Sequence, residues 1–289
     1  MVEITFILNG LSRAMLLFLI ASGLSLIFGL MGIVNFAHGS LYALGAYLGV
    51  AVLGFYESFW VALIVAPILI GIIGAATEYS TLRPLYNRDP VYGMLLTFGL
   101  LIVIEEGIML VWGPGPQSTV MPAFLQGPVE IWGSFFPLYR LFVIAFGVIV
   151  AIVMWLALQR TRIGMIVRAG NLDSQMVEAM GINVRRVYTG MFAVGVGLAA
   201  VGGVVAGPVY SVYPTMGVVI LIEAFIVVVI GGLGSVRGSF VGALIVGLSQ
   251  SLGATYFSQY LGLLLFGLMI VVLVVRPHGI FGQEGLLEG

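Results

Sequence analysis

The chain has 289 residues, of which 61% are hydrophobic and 8% are charged, and its formal net charge is −1. Soluble domains carry about 25% charged residues, so this composition excludes an ordinary soluble protein, and the near-zero charge gives no sign of a nucleic-acid partner. Cysteine is absent, which excludes disulfides and thiolate catalysis, and the two histidines lack metal-ligand spacing. We therefore expect an integral membrane protein with no catalytic residue, no metal and no cofactor of its own.

Long apolar runs recur along the sequence, and a helix needs about 20 such residues to cross a bilayer. The first two runs are separated by the segment MGIVNFAHG, which places Asn35 and His38 inside otherwise continuous hydrophobic sequence. Seven runs are predicted to be transmembrane helices: 11–30, 33–53, 60–79, 91–112, 138–158, 187–206 and 261–275.

Two shorter apolar pieces, 217–232 and 240–252, flank the glycine-rich sequence GGLGSVRGS. They predict either two further crossings or a re-entrant hairpin of two half-helices at 217–252. GGLGSVRGS lacks the GxxxxGK[ST] pattern and the chain has no lysine, so no phosphate-binding loop is predicted. The expected fold is an all-α polytopic membrane protein with seven to nine transmembrane helices, forming one domain over residues 1–289.

The arginines predict the orientation of the chain, because cytoplasmic loops carry an excess of Lys and Arg. Nine of the eleven arginines are cytoplasmic if the turns 82–90, 160–186 and 234–239 and the segment at Arg276 are placed on that side. This arrangement puts the N terminus outside and the C terminus inside, and it requires an odd number of crossings.

The longest polar segment of the second half, at 159–187, is predicted to contain a short helix over Leu172–Met180. Asn171 is a suitable N-cap, Asp173 favours the positive end of the helix dipole, and Gly181 suits the position after the C-cap. The apolar positions follow a helical period, so one face needs something to dock on. That face contacts either a cytoplasmic subunit or the membrane surface. The predicted contact residues are Leu172, Asp173, Met176, Glu178, Ala179, Met180 and Gly181.

Three polar residues inside the apolar runs are candidates for a translocation path. Asn35 and His38 either hydrogen-bond across helices to hold a helix break or form an inner gate near the cytoplasmic end of the second run. Glu223 lies about six residues inside its run, roughly 9 Å from the outer edge at 1.5 Å per residue. A charge within the membrane is costly, so Glu223 either lines a path or reaches the interface.

Six motifs in chain order resemble the permease subunits of branched-chain amino acid ABC transporters, specifically those of the LivH type. The chain departs from many such permeases at Glu223, where a basic residue is common, and at Arg237, where proline is common. The motifs are GLSLIFGLMGIVNFAHGSLYALGAY (23–47), EYSTLRPL (78–85), RIGMIVRA (162–169), MVEAMGINVRRV (176–187), EAFIVVVIGGLGSVRGSFVGALIVG (223–247) and RPHGIFG (276–282).

The resemblance implies a multi-pass permease of the bacterial inner membrane that transports leucine, isoleucine or valine. It also implies a second, LivM-type permease chain, two cytoplasmic ATP-binding subunits and a periplasmic substrate-binding protein as partners. ATP would be used by the partner subunits, and MVEAMGINVRRV would contact them as a coupling loop.

Three alternatives stay open at this point. Similar permeases carry urea, short amides or small aromatic acids, so the protein would still be an ABC permease but with one of these as its substrate. A gradient-driven secondary transporter or channel would work without ATPases. An intramembrane enzyme would need a nucleophile–base pair or a metal cluster, and the sequence offers neither.

Overall fold

A computed structural model gives the fold of the protein and describes residues 2–86 and 88–282. The described chain is predominantly helical, which confirms the predicted all-α polytopic membrane fold. Within it, eight helices are long and apolar enough to cross a bilayer. A further apolar helix has 16 residues and spans about 24 Å at 1.5 Å per residue. The predicted range of seven to nine transmembrane helices includes both counts.

Eleven α-helices, one β-hairpin and several short π or 3₁₀ turns, among them Ala123–Leu125 and Ser258–Tyr260, make up the regular structure of the described residues. The third helix continues as a π-helical turn at Glu78–Leu82 and a 3₁₀ turn at Arg83–Leu85. The elements are α1 (Val2–Met31), α2 (Ala37–Tyr56), α3 (Phe59–Thr77), α4 (Pro90–Trp112), β1 (Pro128–Ile131), β2 (Ser134–Pro137), α5 (Leu138–Arg160), α6 (Arg162–Leu172), α7 (Ser174–Ala179), α8 (Val184–Ala206), α9 (Met216–Gly231), α10 (Val236–Tyr256) and α11 (Leu261–Val275).

α1 is the central helix of the bundle. In its most apolar stretch 89% of the residues are buried, and it packs against α5, α8, α9 and α10. Close packing depends on glycine where α1 crosses α8, because a Cβ atom on Gly23 would lie 2.2 Å from the carbonyl oxygen of Gly195. The corresponding buried fractions of α4, α5 and α11 are 17%, 17% and 6%. The outer faces of these three helices are therefore available to lipid or to other membrane subunits.

The break between α1 and α2 lies inside the bundle. His38, in the first turn of α2, has its Nε2 atom 3.0 Å from the carbonyl oxygen of Ile20. Ile20 precedes the end of α1 by eleven residues, or about 16 Å along the helix axis. The non-helical residues 32–36 therefore return from the end of α1 to its middle before α2 begins.

Non-helical backbone at this depth needs polar partners from neighbouring helices. Thr97 of α4 supplies them: its hydroxyl accepts a hydrogen bond from the Phe36 amide at 3.2 Å and lies 3.3 Å from the Val34 carbonyl oxygen. The ring of Phe36 packs near Phe225 of α9, with 5.9 Å between centroids. The break is thus held by α4 and α9 together.

Most arginines meet at one end of the bundle. There the amides of Ile280 and Phe281 each donate a 2.9 Å hydrogen bond to the last two carbonyls of α9, and Gly234 lies against Gly29 near the end of α1. We call this end the arginine-rich end, defined by the segments 83–86, 160–186, 232–237 and 276–282. The opposite end contains the starts of α1 and α5, the 207–215 connection and the end of α10.

The structure defines two regions more closely than the sequence does. The region 217–252 contains the 16-residue α9 followed by the 21-residue α10, which fits the predicted alternative of two crossings better than that of two half-helices, because α10 begins four residues before the predicted apolar piece. The connection after α4 contains the β1–β2 hairpin, which sequence analysis left without structure. Its turn is formed by Trp132 and Gly133, both at positive φ (47° and 78°), as a two-residue hairpin turn of the I′ type requires.

Candidate transport and coupling sites

A cavity of about 580 Å³ opens at the end of the bundle opposite the arginine-rich end. It lies between α1, α2, α5, α9 and α10 and is also lined by the connection between α8 and α9. Apolar residues from α1, α9 and α11 form part of its wall. Its polar lining residues are Asn9, Arg13, Tyr42, Arg140, Tyr210, Ser211, Tyr213, Glu223, Gln250, Ser251 and Thr255.

An ion pair between Arg13 and Glu223 lies in this cavity. One terminal nitrogen of the Arg13 guanidinium is 2.5 Å from Glu223 Oε2, and its Nε donates to Gln250 Oε1 at 3.0 Å. The guanidinium carbon also lies 5.1 Å from the ring centroid of Tyr210, a cation–π distance. The side chains of Arg13 and Glu223 are 22% and 16% exposed, so both remain reachable from the cavity.

Glu223 is a candidate from the sequence alone, whereas Arg13 is one of the two arginines that the predicted orientation leaves outside the cytoplasm. Glu223 is seven residues into α9, about 10 Å along its axis, which agrees with the predicted depth. Arg13 offered the same signal as Glu223, because a charge within a transmembrane run is a functional candidate by default. Pairing the two required knowing that α1 and α9 are neighbours, which the sequence does not state.

Asn35 and His38 lie deeper than predicted. The prediction placed them near the cytoplasmic end of the second run, but α2 begins at the middle of α1. Both side chains are buried, with 1% and 0% exposure, and neither belongs to the described lining of the cavity. Within the described residues, the side-chain amide of Asn35 has no hydrogen-bond partner. Their role in a gate stays a prediction.

The predicted coupling helix is present but shorter than expected. α7 covers Ser174–Ala179, and its N-cap is Asp173, whose carboxylate accepts from the Met176 amide at 2.9 Å. The prediction of Asn171 as the cap is wrong, because that residue lies in α6. Gly181 has φ +82° and its amide bonds the Glu178 carbonyl at 2.9 Å, which confirms its predicted C-terminal position.

The predicted apolar face of α7 points away from the rest of the chain. Met176 and Met180 are 61% and 74% exposed, and Ala179 and Glu178 are exposed as well. Val177 is instead the buried residue of this helix, with 4% exposure. The side chain of Leu172 lies outside the described part of the chain. The described residues thus leave a methionine-containing face uncovered beside the start of α8.

A second charged cluster lies where α3 ends. Glu78 has no exposed side-chain surface and lies 3.4 Å from a terminal nitrogen of Arg83. Its carboxylate also accepts hydrogen bonds from the hydroxyls of Tyr86 and Thr189, the latter at 2.6 Å. Burial, followed by this hydrogen bond to Glu78, raises the pKa of Tyr86 and keeps its phenol a proton donor. The cluster fixes the end of α3 against the first turns of α8.

Residues 6–274 match the model of a family described as branched-chain amino acid transport system / permease component. The chain belongs to this family. It is 30% identical to the high-affinity branched-chain amino acid transport system permease protein BraD of Pseudomonas aeruginosa, over 96% of this chain and 95% of the relative. It is also 30% identical to the permease protein LivH of the same kind of system in Escherichia coli, over 95% and 94%.

The fold of this permease has a solved counterpart. The structure of PsaBC from Streptococcus pneumoniae in complex with Fab superimposes with a TM-score of 0.51 and covers 96% of this chain and 94% of that one. The two chains are 13% identical, so the comparison supports the fold and nothing finer. As a permease component, the protein is one part of a larger transport system.

Proposed function

We propose that the protein is the membrane permease of an ABC importer that carries leucine, isoleucine or valine across the bacterial inner membrane. Family membership supports the class of transporter, and the names of relatives that are 30% identical to this chain support the choice of substrate. The observation that carries the proposal at the level of residues is the Arg13–Glu223 pair, which opens onto a cavity large enough for one amino acid.

The pair has the chemistry of a zwitterion site. A guanidinium binds a carboxylate through parallel N–H donors, and a carboxylate binds an ammonium group. An amino acid carries both groups on one carbon, so Arg13 and Glu223 would exchange their mutual contact for one contact each with the substrate. Urea and simple amides carry no such charges and would have to break the pair without replacing it.

The apolar part of the cavity suits an aliphatic side chain. Phe6, Met216, Val219, Ile220 and Leu261 line it beside the charged pair. Burying a side chain of leucine size in such surroundings contributes about 1.5–3 kcal/mol. Charge and apolar surface together favour a small aliphatic amino acid over a sugar or an aromatic acid.

Movement of the substrate would be driven from the arginine-rich end, which we place in the cytoplasm. One of the two ATP-binding subunits would dock on the exposed face of α7, using Met176, Glu178, Ala179 and Met180. A ligand-dependent contact shifts a conformational equilibrium only if it differs between the two states. α7 leads directly into α8, and α8 packs along α1, so a push on α7 would be transmitted to the helix that carries Arg13.

The remaining partners complete the machine. A second, LivM-type permease chain would cover part of the exposed outer helices, and a periplasmic binding protein would deliver the amino acid to the cavity. Asn35 and His38 would act as a gate between the cavity and the cytoplasm. The buried amide of Asn35 supports this role, because an unpaired polar group gains a partner when the surrounding helices move.

Uptake by the complete transporter in vesicles tests the proposal. We expect Glu223→Gln to lower ATP-dependent uptake of radiolabelled leucine by at least about tenfold, the equivalent of 1.4 kcal/mol. Glu106→Gln is the matched control, since this exposed carboxylate of α4 lies outside the described lining of the cavity, and it should leave uptake unchanged. Unchanged uptake by Glu223→Gln would refute the zwitterion site, and uptake without the ATPases would favour a gradient-driven transporter.

Copurification tests the coupling surface separately. The double variant Met176→Asp/Met180→Asp should lose most of its ATPase subunits, because two charges replace the apolar contact. Met165→Asp is the control: Met165 is 62% exposed in the neighbouring α6 and should retain the subunits. Full retention of the ATPases and of uptake by the double variant would rule out α7 as the docking helix.

A further inference from the structure

A second large cavity lies at the arginine-rich end, on the side of the bundle between α5 and α10. Its volume is about 640 Å³, and α1 forms its floor. Val148, Ile152 and Trp155 of α5 face Phe240 of α10 across it, above Phe18 of α1. We call this cavity the lateral groove. Because α5 is a peripheral helix, the groove lies at the surface that meets the bilayer core.

The mouth of the lateral groove is basic. Arg168 of α6 and Arg237 of α10 both line it, and both side chains are exposed. Arg168 is held in place by a hydrogen bond from its guanidinium to the carbonyl of Leu158, the residue at the mouth of the groove on α5. Among the described lining residues none is acidic, and neither arginine forms an ion pair within the described part of the chain.

We propose that the lateral groove binds one anionic glycerophospholipid, with its phosphate between Arg168 and Arg237 and an acyl chain along Ile152 and Phe240. Arginine presents a planar fork of donors that matches the oxygens of a phosphate. The groove extends along α5 from Val148 to Leu158, about 15 Å at 1.5 Å per residue, which is enough for much of an acyl chain. Trp155 lies five residues before the end of α5, about 7.5 Å at 1.5 Å per residue, and tryptophan is enriched near the ends of transmembrane helices, where lipid headgroups lie.

The positive-inside rule alone does not account for this arrangement. That rule places arginines on the cytoplasmic side of any membrane protein, without directing them to one cavity. Arg162, Arg185 and Arg186 belong to the same polar segment as Arg168 but do not line the groove in the described structure. The distinctive feature is that two arginines from different helices line the same largely apolar groove.

The experiment must distinguish a lipid in the lateral groove from two other candidate occupants. One is the end of this chain, since residues 283–289 follow Phe281, which lines the groove, and their sequence QEGLLEG contains two glutamates and two leucines. The other is a second permease chain, whose helices would press on α5. Each predicts a different response to added lipid from that of a lipid site.

Native mass spectrometry of the assembled transporter tests the proposal, with palmitoyl-oleoyl phosphatidylglycerol and phosphatidylcholine as probes. We expect the transporter to retain phosphatidylglycerol in preference to phosphatidylcholine. The double variant Arg168→Gln/Arg237→Gln should retain at least about fivefold less of it. The matched control Arg160→Gln/Arg162→Gln removes two exposed arginines that lie outside both the groove lining and the coupling segment 176–187, and it should bind lipid as the unmodified protein does. Ile152→Trp, which narrows the apolar channel, should lower retention with both arginines present.

Several results would overturn the proposal. One is equal retention of the two lipids by the transporter. Another is full retention of phosphatidylglycerol by a normally assembled transporter that contains the Arg168→Gln/Arg237→Gln variant. Retention that rises from none only after deletion of residues 283–289 would assign the groove to the end of the chain. Retention by the isolated permease that is lost on assembly would assign it to a partner subunit.

Discussion

Two Arg–Glu pairs lie within the described residues of this largely apolar bundle, and they differ in how completely their carboxylates are enclosed by protein. Glu78 is fully buried and accepts from Arg83, Tyr86 and Thr189. Glu223 is partly exposed to a cavity, and its hydrogen-bonding partner in the described chain is Arg13. Arg83 and Arg13 are each 22% exposed, so the difference lies in the carboxylates: that of Glu78 is closed on all sides by protein, whereas that of Glu223 is 16% exposed and retains a side from which another charged group can approach.

We expect this difference to separate a pair that stabilises the fold from the pair that we propose takes part in transport. A buried carboxylate with three donors is expensive to disturb, because any lost partner leaves a charge without compensation. A pair at the edge of a cavity can exchange partners at low cost, because water or substrate replaces what is lost. We therefore expect loss of the Glu78–Arg83 pair to lower stability the most, and loss of the Glu223–Arg13 pair to lower transport with little change in stability.

Removal of the closed carboxylate should have the largest effect on folding. Glu78→Ala leaves Arg83 without its ion-pair partner and the Tyr86 hydroxyl without its acceptor in the cluster, while the Thr189 hydroxyl keeps only the Arg185 carbonyl as its acceptor in the described structure. Breaking a buried pair in this way costs about 3–5 kcal/mol of the free energy of unfolding. Denaturant or SDS titration of the purified protein would measure it. A loss below about 1 kcal/mol would show that water reaches the cluster more than its burial indicates, and the proposed difference between the two Arg–Glu pairs would then be wrong.

Thr189→Val tests the same cluster with a smaller change. The valine side chain has nearly the same shape, but Glu78 loses one of its hydrogen bonds and Arg83 loses an acceptor at 2.5 Å. A hydrogen bond to a charged group contributes about 1.5–3 kcal/mol, so the stability loss should fall in that range. Thr77→Val is the control, because the exposed Thr77 hydroxyl bonds only its own helix in the described structure. Equal losses of stability in Thr189→Val and Thr77→Val would show that the hydrogen bond to Glu78 contributes no more than one within a helix.

The sequence was sufficient to predict the features that depend on local composition and spacing. The apolar runs predicted the helices to within a few residues for α3, α4, α5 and α11, because burial in lipid leaves little choice of structure. Gly181 was predicted after a C-cap because a positive φ favours glycine. The methionine face of α7 followed from helical periodicity and is exposed, as docking requires.

Features that depend on which helices meet could not be predicted in this way. The Arg13–Glu223 contact joins residues 210 positions apart, and the convergence of Arg168 and Arg237 on one groove joins α6 with α10. The depth at which α2 begins is set by Ile20 and Thr97, which are remote in sequence from the break. The N-cap of α7 was misplaced by two residues because Asn171 and Asp173 are both good caps.

The open pair should show the smallest effect on folding and the largest on transport. In Glu223→Gln, Arg13 keeps Gln250 and the ring of Tyr210, and both residues of the pair are partly exposed to the cavity. Ion pairs that solvent reaches contribute about 0–1 kcal/mol, so we expect the free energy of unfolding to change by about that much while leucine uptake falls at least about tenfold. Gln250→Leu sharpens the result, since it removes the other fixed partner of Arg13 and leaves the pair intact. It should raise the leucine concentration needed for half-maximal uptake with little change in stability. A variant at Glu223 that unfolds as readily as Glu78→Ala would mean that both pairs hold the fold, and the transport role would then have to be sought elsewhere in the cavity.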